Sequence, residues 1–148
     1  MKNFKKIPVH DKYDVIIIGG AIMGSSTAWF LSQNPDFNGN ILVVEKDQKY
    51  ESCSTAHTTS CIRQQFSTKL NVEISQFAAN FINNFHKYMD SDARVPKLKI
   101  KSFGYMYLAD DEDFAENLKS NQKVQEAAGA ATELLTPDEI KSRYPFYN

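Results

Sequence analysis

The chain has 148 residues, 42% of them hydrophobic, and its 17 basic and 18 acidic side chains leave a net charge of −1. This length suits one modest domain with its own core, and the near-neutral charge predicts no nucleic-acid partner and no attraction to an anionic membrane. No stretch reaches the roughly 20 consecutive apolar residues that a membrane span needs.

The N-terminal segment Met1–Lys12 is basic and polar, with lysines at positions 2, 5 and 6 and no arginine. It lacks the apolar stretch of a secretory signal, and the absence of arginine disfavours a mitochondrial presequence. We therefore expect a cytoplasmic protein, in which Cys53 and Cys61 stay reduced. The two cysteines do not have the spacing of metal ligands, so we expect no metal site.

The segment Tyr13–Gly24 predicts a strand, a glycine turn and the start of a helix. Its strand, Val15–Ile18, is β-branched without polar alternation, which is typical of a strand buried on both faces of a parallel sheet. Small residues from Gly24 onward open a helix that we expect to end near Asn34. Strand, turn and helix in this order form the first half of a dinucleotide-binding unit.

The turn fits the spacing Gly-x-Gly-x-x-Gly with one departure, because Ala21 stands at the middle glycine position. Gly19 permits the tight turn, and Gly24 lets the helix pack closely on the strand. The start of the helix then offers unpaired N–H groups and a positive dipole end to phosphates. The predicted pyrophosphate-binding residues are Gly19, Gly20, Ala21, Ile22, Met23 and Gly24.

A second apolar run, Ile41–Val44, leads directly into Glu45, which lies 21 residues after Gly24. An acidic residue at the tip of the second strand is placed to accept hydrogen bonds from ribose hydroxyls. The alternative is an ordinary strand–helix–strand unit with an incidental glycine turn.

The residues after Glu45 favour a flavin over a nicotinamide cofactor. A nicotinamide-binding domain should soon show a third apolar strand, but residues 47–61 are polar and rich in Ser, Thr and Cys. The next strong pattern is helical, and we expect this stripe to pack on a core. Its members are Leu70, Ile74, Phe77, Phe81, Phe85 and Tyr88.

Several motifs together resemble the FAD-dependent oxidoreductases of the D-amino-acid oxidase superfamily. They are the glycine turn, the run Ser54-Thr55-Ala56 and the run Ile62-Arg63-Gln64-Gln65-Phe66-Ser67. The closest likeness is to the branch of sarcosine oxidase, dimethylglycine dehydrogenase and the FAD-dependent oxidoreductase domain-containing proteins. The resemblance implies that the turn holds the pyrophosphate and that Glu45 with Lys46 holds the adenosine ribose. Ser54 and Thr55 would line the pyrophosphate and ribityl chain, with hydroxyl chemistry suited to both.

The same resemblance suggests roles for two further side chains. His57 stands where some dimethylglycine-dehydrogenase-like relatives carry a histidine bonded covalently to the flavin; the alternative is a loop histidine. Arg63 can face the substrate side of the flavin and fork onto an amino-acid carboxylate; the alternative is pairing with backbone or with Glu73. Cys61 departs from the glycine that this branch often has there.

The remainder predicts the beginning of a second, α+β region. Residues 97–101 and 105–109 have the alternation of two antiparallel strands. A helix is expected from about Asp111 to Ala128, before Gly129. Thr136 and Glu139 form a capping box around Pro137 that begins a short helix. We assign 1–95 to the FAD-binding domain and 96–148 to the start of the substrate domain.

The predicted fold is therefore α/β, a Rossmann-like FAD-binding βαβ unit followed by the beginning of an α+β substrate domain. Two strands are too few for a stable sheet, so we expect the N-terminal part of a longer flavoenzyme, whose missing C-terminal half would be its partner. The resemblance implies oxidation of the C–N bond of a small amine or N-methyl amino acid. The alternatives are a non-catalytic FAD-binding accessory protein, an NAD(P)-dependent dehydrogenase, and a chain that is inactive alone.

Overall fold

The computed structural model describes residues 7–146, so the first six residues of the basic N-terminal segment lie outside the described range. Within it the chain forms two compact units, which divide between Ser60 and Cys61. The boundary predicted between residues 95 and 96 concerns the domains of a complete enzyme and stays a prediction. The elements are β1 (Val15–Ile18), α1 (Ile22–Ser32), β2 (Ile41–Val44), α2 (Lys69–Asn83), α3 (Phe85–Tyr88), α4 (Glu112–Ala127) and α5 (Pro137–Arg143).

The first unit is a strand–helix–strand unit, as predicted. Strands β1 and β2 are parallel and paired from Val15 opposite Ile41 to Ile18 opposite Val44. Helix α1 connects them and contacts both strands. It begins at Ile22, two residues before the predicted start at Gly24.

One prediction about the sheet was wrong, because β1 is not buried on both faces. Ile17 lies on the side of α1, whereas Ile16 and Ile18 are 61% and 89% exposed. Successive side chains of a strand point to opposite faces, and in the described part of this unit no helix covers the second face. The continuous apolar run is typical of a strand that is covered on both faces, but in this unit helix α1 covers one face of β1.

The second unit contains the remaining helices, and the face of α2 that it buries differs from the predicted stripe. Val72 is completely buried, and the Gln76 amide donates to the carbonyl of Ala128 at 3.1 Å, beyond the end of α4. The expected packing fails for the first part of the stripe, where Leu70 and Phe77 are 65% and 53% exposed. In its last part the rings of Phe81 and Tyr88 lie 4.6 Å apart, and Tyr88 is 40% exposed.

The single helix expected over the stripe is two helices, because Asn84 interrupts it with φ −106° and ψ 11°. Its side-chain amide donates to the carbonyl of Asn80 at 3.0 Å. Asparagine side chains compete in this way for backbone groups and favour helix ends.

The two strands predicted over 97–101 and 105–109 were wrong, since the described residues have no strand there. The carbonyl of Tyr105 accepts instead from the Gln65 side-chain amide at 2.6 Å. Leu98 and Leu108 are 43% and 55% exposed, so pairing the two segments as strands would bury little apolar surface. A lone hairpin is marginal in water.

Both helices predicted near the C-terminal end are confirmed. The Asp111 carboxylate caps α4 by accepting from the N–H of Phe114 at 2.7 Å, and Gly129 follows its end with φ +76°. Thr136 and Glu139 make both bonds of the capping box at the start of α5. Among the helices within residues 7–146, none combines the length and apolarity that crossing a membrane demands.

Candidate functional site

The turn after β1 is tied to the end of β2 by its backbone. The N–H of Gly19 donates to the carbonyl of Val44 at 2.7 Å, and Gly19 has φ +99°. A left-handed φ of this kind is readily adopted by glycine and rarely by other residues. Gly19 is therefore required by the conformation of the turn.

Gly24 is required by packing. A Cβ atom on Gly24 would lie 1.8 Å from the carbonyl oxygen of Gly19 and 3.1 Å from the Ile17 methyl group. The first contact is impossible for any side chain without moving the backbone. The first turn of α1 thus packs directly on the glycine turn, which is the close helix–strand approach expected of the third glycine.

The backbone conformation of Ala21 shows why the middle position of the motif does not need a glycine. It is the N-cap residue of α1, with φ −67° and ψ −168°. This extended conformation is open to every L-amino acid. Alanine therefore keeps the same backbone path and adds one methyl group.

The N-terminus of α1 has the chemistry of an anion site. Its first turn has no acidic residue and no side-chain cap. The N–H of Ile22 donates to the Thr55 hydroxyl at 3.4 Å. The first turn of α1 has no carboxylate of its own, and the N–H groups at the positive end of the helix dipole are suited to phosphate oxygens.

Glu45 lies against the turn and is held there by two backbone donors. Its two carboxylate oxygens accept from the N–H of Gly20 at 2.7 Å and of Asp47 at 2.8 Å. The bond from Asp47, followed by that from Gly20, lowers the pKa of Glu45 below its ordinary value of 4.5. The carboxylate is therefore ionised at neutral pH and accepts hydrogen bonds only.

The segment after Glu45 forms a tight loop that the sequence analysis missed. The Asp47 carboxylate accepts from the N–H groups of Lys49 and Glu51, both at 2.9 Å. Tyr50, at the centre of the loop, has φ +59°. An aspartate that bonds the backbone two residues later is a recognised turn former, so Asp47 was the signal for this loop.

The structure brings only some of the predicted cofactor residues together. The glycine turn, Glu45 and Thr55 are linked by the bonds described above. Within residues 7–60, the side chains of Lys46, Ser54 and His57 make no hydrogen bond to the turn; all three residues are exposed. The N–H of His57 bonds to the Ser54 carbonyl at 3.2 Å, which places both in one local turn.

Arg63, in the second unit, is surrounded by aromatic rings. Its guanidinium carbon lies 4.9 Å from the ring centre of Phe66, 5.3 Å from that of Tyr107 and 6.0 Å from that of Tyr105. Pairing with Glu73, the predicted alternative, does not occur, because Glu73 pairs with Lys69 at 3.6 Å. Within residues 7–146 Arg63 forms no ion pair.

Arg63 is one of the residues that line a cavity of about 240 Å³ in the second unit. Gln125, another lining residue, is 5% exposed and its side-chain amide donates to the carbonyl of Phe66 at 3.2 Å. Gln65 holds Tyr105 through the 2.6 Å bond already described. The lining residues are Arg63, Gln65, Phe66, Ser67, Tyr107, Phe114, Leu118, Asn121 and Gln125.

Comparison with known proteins gives a consistent result. Residues 14–148 match the family described as DAO, FAD dependent oxidoreductase. The chain is 34% identical over 142 residues to FAD-dependent oxidoreductase domain-containing protein 1 of Xenopus laevis, covering 93% of this chain and 28% of that protein. It is 38% identical over 135 residues to the Drosophila melanogaster homolog, covering 91% of this chain and 25% of that protein. The chain thus spans about a quarter of the length of these relatives, and no solved structure matches it.

Proposed function

Because the chain belongs to the DAO family of FAD-dependent oxidoreductases, we propose that its first unit binds the ADP half of FAD at the glycine turn. Gly19 to Gly24 would hold the pyrophosphate, Glu45 with Lys46 the ribose, and Ser54 with Thr55 would line the pyrophosphate and the adjoining ribityl chain. The observation that carries this proposal is the contact of Gly24 with Gly19, which packs an uncapped helix start onto the turn.

The residues present fit the chemistry of this cofactor. A pyrophosphate needs N–H donors and a positive dipole end, and the first turn of α1 offers both and has no acidic residue of its own. A ribose diol needs an acceptor, and the Glu45 carboxylate beside the turn is ionised at neutral pH. The first unit therefore supplies donors at the start of α1 and an acceptor at Glu45, which bonds to Gly20 of the same turn.

We propose further that the complete enzyme oxidises the C–N bond of a small amine or N-methyl amino acid. FAD, when bound, supplies the hydride acceptor. The task of this chain is to hold the cofactor and to bind the substrate. This substrate class is suggested by the sequence motifs shared with the sarcosine oxidase branch and by the Arg63 pocket.

In this proposal Arg63 binds the carboxylate of the substrate. The guanidinium is unpaired with any acid in the described residues, and aromatic faces leave its N–H edge able to fork onto a carboxylate. The cavity of about 240 Å³ beside it suits a small molecule. The rest of the substrate site, in this proposal, comes from the portion of the enzyme that the longer relatives carry beyond the matched segment.

The test of the reaction uses the complete protein loaded with FAD and mixed anaerobically with sarcosine or dimethylglycine. Loss of the visible bands of oxidised flavin is the expected result. A protein that binds FAD but is reduced by neither compound nor by other N-methyl amino acids would favour the accessory function. A protein that binds NADH and not FAD would favour the dehydrogenase.

The test of Arg63 is the variant Arg63→Lys. Lysine keeps the charge and loses the fork, so we expect KM for a carboxylate substrate to rise roughly tenfold with kcat little changed. Arg94→Lys is the matched control, because Arg94 pairs with Asp92 in the same unit. An unchanged KM in Arg63→Lys would remove the residue from the substrate site.

A covalent link between His57 and the flavin is proposed separately. It is supported by the exposed position of His57, two residues after Thr55. Acid precipitation of the flavin-loaded protein should carry the colour into the pellet, and His57→Ala should release it to the supernatant. His10→Ala is the control, and a soluble flavin in the wild type contradicts the link.

A further inference from the structure

The hydroxyl group of Tyr50 lies over the glycine turn, beside Glu45. A Cβ atom built on Gly20 would be 3.1 Å from the Tyr50 hydroxyl and 3.4 Å from the Glu45 Cβ atom. The same built atom would be 3.5 Å from a methyl group of Val43, at the end of β2. Tyrosine hydroxyl, glutamate side chain and turn backbone therefore meet at one corner of the first unit.

The backbone of the loop keeps Tyr50 at this corner. Its N–H donates to the Asp47 carbonyl at 3.0 Å, and its carbonyl accepts from the N–H of Cys53 at 3.3 Å. The N–H of Asp47 in turn bonds to Glu45 at 2.8 Å. The loop and Glu45 thus form one hydrogen-bonded unit, and Tyr50 keeps a left-handed φ of +59° within it.

The chemistry of a ribose explains why a tyrosine is useful beside this glutamate. Glu45 is ionised and accepts hydrogen bonds only, so it can satisfy the hydroxyl protons of a ribose but not the lone pairs. A phenolic hydroxyl is a donor as well as an acceptor. At 37% exposure the Tyr50 side chain is also accessible to a ligand at this corner.

We propose that Tyr50 is a further binding residue for the adenosine half of FAD, and that its hydroxyl donates to a ribose oxygen next to the Glu45 carboxylate. The proposal rests on the proposed function, in which the glycine turn binds the ADP half of the cofactor. It adds a neutral donor from the Asp47–Cys53 loop to a site otherwise made by the turn and β2.

The test compares FAD, ADP and FMN as ligands of the complete protein, with Kd measured by flavin fluorescence for FAD and FMN and by calorimetry for ADP. In Tyr50→Phe we expect Kd to rise roughly 3- to 10-fold for FAD and for ADP, the loss of one neutral hydrogen bond. The Kd of FMN, which lacks adenosine, should not change. Tyr13→Phe is the matched control, because the Tyr13 hydroxyl accepts from Val9 and His10 before β1.

The other outcomes are distinguishable. If the wild type binds FAD and ADP but Tyr50→Phe binds both equally well, the Tyr50 assignment is wrong and the glycine-turn site stands. If FMN weakens as much as ADP, the hydroxyl supports the fold of the unit and the assignment is again wrong. If the wild type binds neither FAD nor ADP, the proposed function fails, and the Tyr50 proposal fails with it.

Discussion

The glycine turn of the first unit and the Arg63 pocket of the second are built in different ways. The turn is made mainly of backbone groups. The N–H groups of Gly19 and Gly20 donate to the Val44 carbonyl and the Glu45 carboxylate, and the Gly19 carbonyl packs against Gly24. The pocket is made of side chains, with a guanidinium among aromatic rings that two glutamine amides hold in place. A site made of backbone tolerates little change in volume, whereas one made of side chains can be weakened gradually.

The largest effect is expected from adding one methyl group to the turn. Gly24→Ala places a carbon 1.8 Å from the Gly19 oxygen, so the backbone must shift. We expect a loss of about 3 kcal/mol in the free energy of unfolding, together with loss of FAD binding. Urea denaturation and FAD titration measure the two effects.

Gly20→Ala is the matched control, since its methyl group would meet the Tyr50 hydroxyl at 3.1 Å, which is the end of a side chain that can move. We expect it to lower the free energy of unfolding by less than about 1 kcal/mol. If the two variants lost the same free energy of unfolding, the close packing at Gly24 would contribute no more to stability than the packing at Gly20.

The second effect concerns the charge at the turn. Glu45→Gln keeps the shape of the side chain but removes a charged acceptor, so we expect FAD affinity to fall roughly 10- to 100-fold. Equilibrium dialysis with FAD measures the change. Glu51→Gln, in the same loop, is the control, because the Glu51 side chain pairs with Lys49 and both side chains are exposed. An unchanged affinity in Glu45→Gln would remove Glu45 from the ribose site.

The same glutamate predicts a pH dependence of stability. Its pKa is lowered in the folded protein below 4.5 by the N–H groups of Asp47 and Gly20. A lowered carboxyl pKa stabilises the folded state above the unfolded pKa, and this contribution is lost as the pH falls through the folded pKa. The stability difference between wild type and Glu45→Gln should therefore shrink on acidification from about pH 7 to about pH 3. A constant difference across this range contradicts the bonds described for Glu45.

A smaller effect is expected in the pocket. Tyr107→Leu keeps an apolar wall but removes one ring from the guanidinium, so Arg63 is positioned less tightly. We expect KM for a carboxylate substrate to rise roughly fivefold with kcat nearly constant. Tyr88→Leu, an exposed tyrosine at the end of α3, is the control. A fall in kcat without a change in KM would contradict a positioning role for Tyr107.

The smallest effect on either site is expected from the capping box at the start of α5, in the second unit. Thr136→Ala removes the cap that accepts from Glu139 and should lower the free energy of unfolding by about 1 kcal/mol. FAD affinity and KM should not change. Thermal denaturation measures the loss, and Thr58→Ala is a control outside any helix. A changed KM would connect α5 to the pocket.

The same contrast explains how much could be predicted from the sequence. Helix α4 and the cap at Thr136 depend on neighbours a few residues away, and strands β1 and β2 are marked by continuous apolar runs; these predictions are confirmed. The turn conformation also follows from local residues, because Gly19 and Gly24 lie within one short segment. The binding roles of these residues and of Arg63 stay predictions.

What could not be predicted depends on distant residues. The exposure of Ile18 reflects which elements cover the sheet, and the rings around Arg63 come from segments some forty residues apart in the chain. The alternation over 97–101 indicated a strand, but a strand needs a partner that local sequence does not specify. Tyr50 was missed because its position over Gly20 depends on a loop closed by Asp47.

The central claim is that the backbone of the glycine turn binds FAD, and one titration tests it directly. Purified wild-type protein and Gly24→Ala are titrated with FAD while flavin fluorescence is followed. We expect saturable binding of one FAD per wild-type chain and no saturation for Gly24→Ala under conditions where circular dichroism shows that it is folded. Equal FAD affinity in the two proteins would show that the glycine turn is not the FAD site.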